Sequence, residues 1–538
     1  MRQSTKRRHV TRCTSGALCG VLAIGLALPA AADWPADPAT NLAIADGAGE
    51  QVLPKIVSTP DGGCYVSWFE NSTGNYNVRI QALDPRGREL WPHNGILVSN
   101  HPSLSFLVDY DLAADAGGNA VVVFTDARDG SDRDIFAYRV TIDGQLDWGP
   151  NGVTLSSNGN FEADPRVAQT STGDYVFVWP RGDTPNPGLV MQRLDSAGNK
   201  QLGPDGIVVA GDGVENPSFC EMVAADNGSV IVTWIRDTRT FLSPRHVRAQ
   251  KFSPGGTPMW GASPIIVSDA ISVPITHRPR IVYDGAGGAV IAWHDTRASN
   301  LFNCWVQHIS SDGTLRMPAN GAQASTLTSQ QHIDPAIAFR PTTGETFVFW
   351  NERNLNQSQW GVYGQKLSPD GARLWGDSGI TYLPLNSVNK LFVRAVPYSD
   401  GAIVLFLDEP NTPLPGDRVL GFRVDAAGGL VWSGSPRVVS SNQSTKGRLP
   451  VTIGSDGVVK AVWEDGRNSP TDVYGQNLNP NGTLGFRQLG DLDGDGHVSE
   501  PDLGLLLQAW QSTARGDLDG DGDTDESDLS ILLQNWGA

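Results

Sequence analysis

A unit of about 56 residues recurs eight times between residues 33 and 489. Each unit contains four short runs that alternate apolar and polar residues, separated by turns rich in glycine, proline, asparagine and aspartate. Such runs are typical of antiparallel β-strands. An aromatic residue ends one apolar run in every unit, at Trp68, Phe124, Trp179, Trp234, Trp293, Trp350, Phe406 and Trp463. This period restricts the fold more than any other feature of the chain.

Radial repetition of a four-stranded unit predicts a β-propeller, because that arrangement exposes few sheet edges. Tandem β-sandwiches would need about 100 residues per unit. We therefore predict an all-β, eight-bladed β-propeller, with seven blades as the alternative. The last unit stops at residues 481–485 without a final strand, whereas residues 42–45 form a strand-like run that precedes the first unit. The first strand is expected to complete the last blade.

The last 49 residues contain a second, shorter repeat. Residues 491–502 and 517–528 each carry aspartate at loop positions 1, 3, 5 and 12 and glycine at position 6. This is the spacing of an EF-hand calcium loop. Apolar stretches of helical length follow at 503–510 and 529–536. The candidate metal ligands are Asp491, Asp493, Asp495, His497, Asp502, Asp517, Asp519, Asp521, Asp523 and Asp528.

This pair of loop-and-helix units resembles a type I dockerin, the module through which cellulosome-type secreted proteins bind a cohesin partner. Asp502 and Asp528 suit dockerins better than calmodulin-like sensors, which carry glutamate at position 12. Positions 10 and 11 depart from the common Ser-Thr type pair, because they hold Glu500 and Pro501 in the first loop. The resemblance covers residues 490–538. It implies a small α-helical module with calcium as its cofactor, a cohesin-like or surface partner, and a carbohydrate-related role.

The N-terminus predicts export. Basic residues such as Arg7 and Arg8 precede an apolar stretch that runs from about residue 17 to residue 28, and an Ala-x-Ala motif ends near residue 32. This order is typical of a secretory signal peptide. We expect a signal peptide at 1–32, the propeller at 33–489 and the calcium-binding module at 490–538. The product is expected to be a bacterial protein that is secreted, extracellular or associated with the cell surface.

The amino-acid composition disfavours some classes of binding partner. The chain has 40 lysines and arginines against 58 acidic residues, for a formal charge of -18. Such a surface disfavours nucleic acid, which requires concentrated lysine and arginine. No run after the signal peptide approaches the roughly 18 apolar residues of a membrane span. The three cysteines of the mature chain, Cys64, Cys220 and Cys304, cannot form a disulfide framework and are interpreted as small apolar strand residues.

No catalytic constellation stands out from the repeat, so the catalytic residues remain unknown. Most anchor aromatics precede an acid and then an arginine, at Asp126/Arg128, Asp237/Arg239, Asp295/Arg297, Glu352/Arg353 and Asp465/Arg467. A catalytic site needs different residues that converge on one point. Because this motif instead recurs in unit after unit, we interpret it as an ion pair that fixes a turn. The acids that interrupt the repeat are Glu162, Glu215, Glu221 and Glu409.

Three functions remain open. The first is a secreted calcium-binding protein whose propeller binds polysaccharide or protein while the tail docks to a cohesin-like or surface partner. The second is a polysaccharide-degrading glycoside hydrolase or lyase with a propeller catalytic domain, and the third is a structural surface protein. We expect any binding site on the face that carries the loops between second and third strands, since loops on a rigid scaffold hold function. Phe241, Phe302 and Trp360 are its candidate aromatic contacts.

Overall fold

The computed structural model describes residues 33–538 except 102–108, 129–132, 183–186, 212–214, 239–242, 275–277, 411–415, 469, 487–488, 493–496, 511–515, 517, 519–522 and 538. The predicted signal peptide therefore lies outside the described residues. The strands form eight sheets arranged as the blades of a β-propeller, which confirms the eight-bladed prediction. Two α-helices follow the propeller, α1 at Glu500–Gln508 and α2 at Glu526–Gln534. No helix in the described part of the chain is long and apolar enough to cross a membrane.

Seven blades are each built from four strands that follow one another in the chain and run antiparallel. We number them as blades 1 to 7 in chain order. Their strands are β2–β5 (Gln51–Ser58, Cys64–Glu70, Asn77–Leu83, Ile96–Ser99), β6–β9 (Asp111–Ala114, Ala120–Asp126, Asp134–Val140, Val153–Thr154), β10–β13 (Arg166–Gln169, Tyr175–Arg181, Gly188–Leu194, Ile207–Ala210), β14–β17 (Asn216–Ala224, Val230–Asp237, His246–Phe252, Ile265–Ser268), β18–β21 (Arg280–Tyr283, Ala289–Ala298, Leu301–Ile309, Ala322–Gln323), β22–β25 (Gln330–Arg340, Glu345–Asn354, Trp360–Leu367, Ile380–Asn386) and β26–β29 (Asn389–Tyr398, Gly401–Glu409, Asp417–Val424, Arg437–Ser444).

Blade 8 joins the two ends of the propeller sequence. From the outside inward it contains β1 (Leu42–Ala45), β33 (Asp472–Leu478) and β32 (Val459–Asp465), which pairs with the short strands β30 (Lys446–Gly447) and β31 (Val451–Ile453). β1 runs antiparallel to β33. The first strand thus completes the last blade, as predicted, and the ring is closed by backbone hydrogen bonds.

The core lies between neighbouring blades. The second strand of a blade is apolar on both faces, as in β7, because a neighbouring blade packs against each face of the sheet. All eight anchor aromatics lie within these strands and are at most 2% exposed. Burying a side chain of this size contributes roughly 1.5–3 kcal/mol or more, so the repeated aromatic stabilises each contact between blades. The aromatic period is therefore a packing requirement.

A second set of tryptophans locks neighbouring blades together at six of the eight contacts between blades. The indole Nε1 of Trp260 in blade 4 donates to the carbonyl of Ser311 in blade 5 at 2.9 Å, and its ring lies against Gly313 of the same hairpin. Trp34 lies in the same way against Gly87 of blade 1. The N-terminal segment therefore supplies a lock as well as a strand. Equivalent indole bonds are made by Trp91, Trp148, Trp375 and Trp432.

These locks predict a difference between two glycine substitutions. Gly313 and Gly376 have φ of +86° and +77°, but a Cβ would lie 2.8 Å from the Trp260 ring at Gly313 and would meet nothing within 4 Å at Gly376. Both alanine variants carry backbone strain, whereas only Gly313→Ala adds overlap, which typically costs about 1–3 kcal/mol. We expect Gly313→Ala to be less stable by that amount in denaturant unfolding. Equal stability would show that the lock is not tight.

Candidate functional site

One end of the propeller carries both the links between blades and the loops from second to third strands. Each innermost strand is entered from a link and left through a hairpin, so in an antiparallel sheet the next loop returns to the link end. We call this end the link face. It is the face on which we predicted a binding site.

The aromatic candidates on the link face differ in their surroundings. Phe302 packs edge-to-face on His294, with ring centroids 5.3 Å apart. Trp360 is half-buried at the start of β24, and Phe241 lies outside the described residues. The sequence predicted a loop at residues 294–302, but β19 and β20 extend through most of it, because the left-handed residues Ser299 and Asn300 make a two-residue hairpin turn. Phe302 is therefore a strand residue whose ring packs within its own blade.

A ring of charged residues surrounds the propeller axis near the link face. Arg278 of blade 5 lies 3.0 Å from Asp164 of blade 3 and 3.8 Å from Asp109 of blade 2. Contacts between blades that are not neighbours occur only where side chains converge on the axis. We call the following residues the axial ring: Lys55, Asp109, Asp111, Asp164, Arg166, Glu221, Arg278, Arg280, Asp334, Arg394 and Arg448.

Bulges in the innermost strands orient the side chains of the axial ring toward the propeller axis. Residues at equivalent places in six innermost strands have φ between +48° and +55° although none is glycine: Leu53, Asp164, Phe219, Asp334, Phe392 and Arg448. Pairing with the second strand shifts at this point, for example between Leu391 and Arg394. An extra residue bends a strand and redirects its neighbours. The axial ring was not predicted from the sequence, although charged residues beside proline, as in Asp164-Pro-Arg166 and Arg278-Pro-Arg280, mark part of it.

In the half of the axial ring from blades 1 to 4, most of the charged side chains form ion pairs. The Lys55 Nζ lies 2.8 Å from Asp109, and the Arg166 guanidinium lies 2.9 Å from both Asp109 and Glu221. Burial would raise the pKa of Glu221, but the nearby Arg166 and Arg278 hold that pKa below its usual value. Glu221 is therefore an ionised, paired carboxylate at the axis.

The other half, from blades 5 to 8, borders a cavity of about 210 Å³. Glu221, Arg280 and Arg394 line it, together with apolar residues such as Ile337 and Val393. Among the described residues, the Arg280 side chain makes no ion pair or hydrogen bond, and the Arg394 guanidinium donates only to the carbonyl of Val393, at 3.0 Å. Burial, and then repulsion by Arg280, lower the pKa of Arg394 to about 9. Two arginines that make no ion pair with a described residue therefore line the cavity, beside the Glu221 carboxylate, which is already paired with Arg166.

The four acids that interrupt the repeat do not converge. Glu215 pairs with Arg236, and Glu409 accepts a hydrogen bond from Asn389 at 2.6 Å. Glu162 is buried at the start of blade 3, and Glu221 alone among the four lines the axial cavity. The structure thus gives no pair of these acids that could share one substrate.

The environment of Glu162 predicts a pH dependence of stability. Burial raises its pKa to about 7 from 4.5, and the Ser156 hydroxyl donates to its carboxyl group. Between these pH values the unfolded chain loses the proton that the folded protein keeps. Stability should therefore fall by up to roughly 3 kcal/mol as pH rises from 4.5 to 7 and then level off.

Glu162→Gln should remove this decline, because the amide mimics the protonated carboxyl group at every pH. The measurement is denaturant unfolding of both proteins from pH 4.5 to pH 7.5, approximately. Glu500→Gln, on the exposed first turn of α1, is the matched control and should retain the decline. A Glu162→Gln variant with the wild-type pH profile would contradict the assignment.

The acid and arginine after the anchor aromatics fix turns, as predicted. In blade 5, Asp295 is buried, accepts a hydrogen bond from the Trp293 indole at 3.0 Å and pairs with Arg297. Arg297 also donates to the carbonyl of Asn320 at 2.7 Å. Blades 2 and 8 repeat the pair, at Asp126/Arg128 and Asp465/Arg467.

Two members of the motif differ from this pattern. In blade 6, Glu352 pairs with His332 at 2.6 Å rather than with Arg353, which donates to Asn351. In blade 4, Arg239 lies outside the described residues, so its pair with Asp237 stays a prediction. Where it is formed, the motif leaves no free carboxylate for catalysis.

In the tail, α1 and α2 begin at position 10 of the two predicted loops. Their core consists of Leu492, Val498, Leu506 and Leu532. Of the candidate ligands, Asp491, Asp502 and Asp528 are buried, while His497 and Asp523 are exposed. The other five, Asp493, Asp495, Asp517, Asp519 and Asp521, lie outside the described residues.

The two position-12 carboxylates have the same surroundings. Asp502 accepts hydrogen bonds from the main-chain N–H of Leu492 at 2.6 Å and of Ser499 at 2.8 Å. Asp528 accepts from Leu518 and, at 2.8 Å, from Asp525. Each carboxylate thus joins the start of its loop to the N-cap of its helix, as in a capping box.

The donor atoms of the second loop fit a calcium ion. Carboxylate oxygens of Asp523, Asp525 and Asp528 lie within 4.8 Å of one another. Calcium–oxygen distances of about 2.3–2.6 Å place two ligands of one ion no more than about 5 Å apart. Asp525 was absent from the predicted ligands, although position 9 of the loop pattern indicates it. Among the described residues, His497 belongs to no comparable group of donors.

No family model and no curated protein matches the chain. Among solved structures, the polysaccharide lyase Uly1 is similar with a TM-score of 0.39 and 10% identity, over 81% of this chain and 91% of that one. An alpha-L-arabinanase of Penicillium chrysogenum has a TM-score of 0.33 and 13% identity, over 59% and 92%. A protein of unknown function from Dyadobacter fermentans has a TM-score of 0.36 and 11% identity, over 62% and 96%. Because these scores lie below 0.5, the likenesses assign no activity to this chain.

Proposed function

We propose that this chain is a secreted protein with two binding parts. Its propeller binds a polysaccharide or protein partner at the link face. Its dockerin-like tail folds around calcium and docks to a cohesin-like or surface partner. The observation that carries the proposal is the repeated hydrogen-bond pattern of Asp502 and Asp528, the buried position-12 carboxylates of the two loops.

The charge of the tail supports a bound cation. Buried carboxylates are stable when they are paired or coordinate a metal. Residues 490–538 contain twelve acidic residues and a single lysine or arginine, Arg515. The tail therefore has too few side-chain cations for its acids. Calcium, which prefers oxygen ligands, supplies the missing charge.

A polysaccharide-degrading hydrolase or lyase is the second candidate function. Glu221 favours it, because this ionised carboxylate lines the axial cavity beside Arg280 and Arg394. A carboxylate in that state could act as a base or nucleophile toward a bound sugar. Release of reducing ends or unsaturated products that is lost in Glu221→Gln, with polysaccharide binding retained, would establish this alternative.

The mature chain and a chain ending at residue 489 separate the two binding parts. Both are tested for retention on a polysaccharide panel, and for capture of immobilised cohesin domains in calcium or in chelator. We expect both chains to be retained by the same polysaccharide, and only the mature chain in calcium to be captured by a cohesin. Capture that persists without residues 490–538 would remove the docking role from the tail.

A further inference from the structure

We propose that the axial cavity binds the carboxylate of an acidic sugar residue between Arg280 and Arg394. The inference rests on the proposed function for its ligand class, a saccharide, and adds the chemical group and the residues that recognise it. The cavity opens among the innermost strands of blades 4 to 7, where Arg280 and Arg394 make no ion pair with a described residue.

The charge balance of the axial ring points to an anion. Arg278 lies beside the acids of blades 2 to 4, and Arg448 interacts with Glu464. Arg280 and Arg394 are left with Asp334 and with Glu221, and Glu221 is already paired with Arg166. Asp334 carries a largely exposed side chain, 57% accessible. Two arginines that face one cavity repel each other and destabilise the unliganded protein. An anion between them removes that cost.

The geometry favours a carboxylate on a small group. Guanidinium groups bind carboxylates through two parallel hydrogen bonds. Among the described residues, no acid forms a hydrogen bond with the guanidinium of Arg280 or of Arg394. The cavity volume of about 210 Å³ lies below the roughly 300–1,000 Å³ of pockets for drug-sized ligands. It therefore suits one sugar unit, with the rest of a chain lying on the link face.

The apolar walls strengthen this site. Ile281, Ile337 and Val393 line the cavity beside the arginines. A charged hydrogen bond is stronger where the local dielectric constant is low. These walls can also contact the apolar face of a pyranose ring, as in most saccharide sites that combine few polar groups with an apolar surface.

The test compares trigalacturonate with its methyl ester, which keeps the sugar but removes the charge. Calorimetric titration of the mature protein is expected to show binding of the acid and at least about tenfold weaker binding of the ester, since a hydrogen bond to a charged group contributes about 1.5–3 kcal/mol. Arg280→Gln and Arg394→Gln should each weaken binding of the acid by a similar factor. Arg394→Lys should have a smaller effect, because it keeps the charge and loses the bidentate geometry.

Arg340→Gln is the matched control. Arg340 ends the innermost strand of blade 6 at the face opposite the link face. Its substitution should therefore leave binding unchanged. Arg280→Gln and Arg394→Gln should melt at or above the wild-type temperature, because each removes a repulsive charge. Loss of binding together with a lower melting temperature in both variants would overturn the inference by making the arginines structural.

The remaining outcomes are distinct. Equal affinity for the acid and the ester, or unchanged affinity in both glutamine variants, would overturn the carboxylate site while leaving polysaccharide binding elsewhere on the link face intact. Tighter binding of sulfated than of carboxylated trisaccharides would overturn the choice of carboxylate. Arginine-dependent binding of trigalacturonate without retention on any polysaccharide would support the cavity and contradict the proposed function.

Discussion

A mature chain that lacks residues 33–46 is expected to fold poorly and to melt at least about 10 °C below the intact protein. The deletion removes β1 and the lock residue Trp34. Trp34, Leu42 and Ile44 are 2%, 6% and 0% exposed, and burying each contributes roughly 1.5–3 kcal/mol. Their sum approaches the entire stability of about 5–15 kcal/mol that is typical of a native protein.

The deletion also removes hydrogen-bond acceptors from blade 8. Gln476 donates to the carbonyl of Pro35 at 2.6 Å, and Arg467 donates to that of Thr40 at 2.8 Å. A typical intramolecular hydrogen bond contributes about 0.5–1.5 kcal/mol to stability, and the exposed edge of β33 favours aggregation.

Removal of residues 490–538 is the control for this deletion. It leaves every contact of β1 and Trp34 in place, so the propeller should melt within a few degrees of the intact chain. Thermal unfolding followed by circular dichroism compares the three proteins. If the chain without residues 33–46 also melts within a few degrees of wild type, closure by β1 does not stabilise the ring.

Calcium is expected to protect the tail from trypsin. Arg515 is the only lysine or arginine in residues 490–538, so cleavage there is measured by the loss of a single C-terminal fragment in mass spectrometry. Without calcium the crowded carboxylates repel one another, and the tail should be cut rapidly. With calcium the loops are ordered by the ion, because a metal that binds only the folded form stabilises it.

Calorimetry should show two calcium ions per chain. Asp502→Asn and Asp528→Asn should each weaken one of them by at least about tenfold to a hundredfold, the effect typical of losing even an outer partner of a metal site. Asp425→Asn, on a propeller hairpin, should leave both sites unchanged. Equal cleavage at Arg515 in calcium and in chelator would contradict a calcium-folded tail.

Much of the fold followed from local rules. Each unit must bury its aromatic against the next blade, so Trp68, Trp293 and their equivalents recur at the blade period. The strand-like run at 42–45 belongs to none of the eight units in sequence, and in the structure it is the outer strand of blade 8. The recurrence of Asp295/Arg297 likewise indicated a turn rather than a catalytic site. In the tail, the loop pattern marked Asp502 and Asp528, since loop spacing alone places these residues at position 12.

The axial ring was decided by tertiary structure alone. In the sequence, Asp109, Arg278 and Arg394 are ordinary polar residues in separate units, and nothing local relates them. Closure of eight blades brings the start of every innermost strand to one axis, and the bulges turn these side chains toward it. Whether a charge there is paired or uncompensated depends on the sum of contributions from several blades. Arg280 and Arg394 become a candidate binding site because closure of the ring brings them to one cavity while the nearby acid Glu221 is already paired with Arg166.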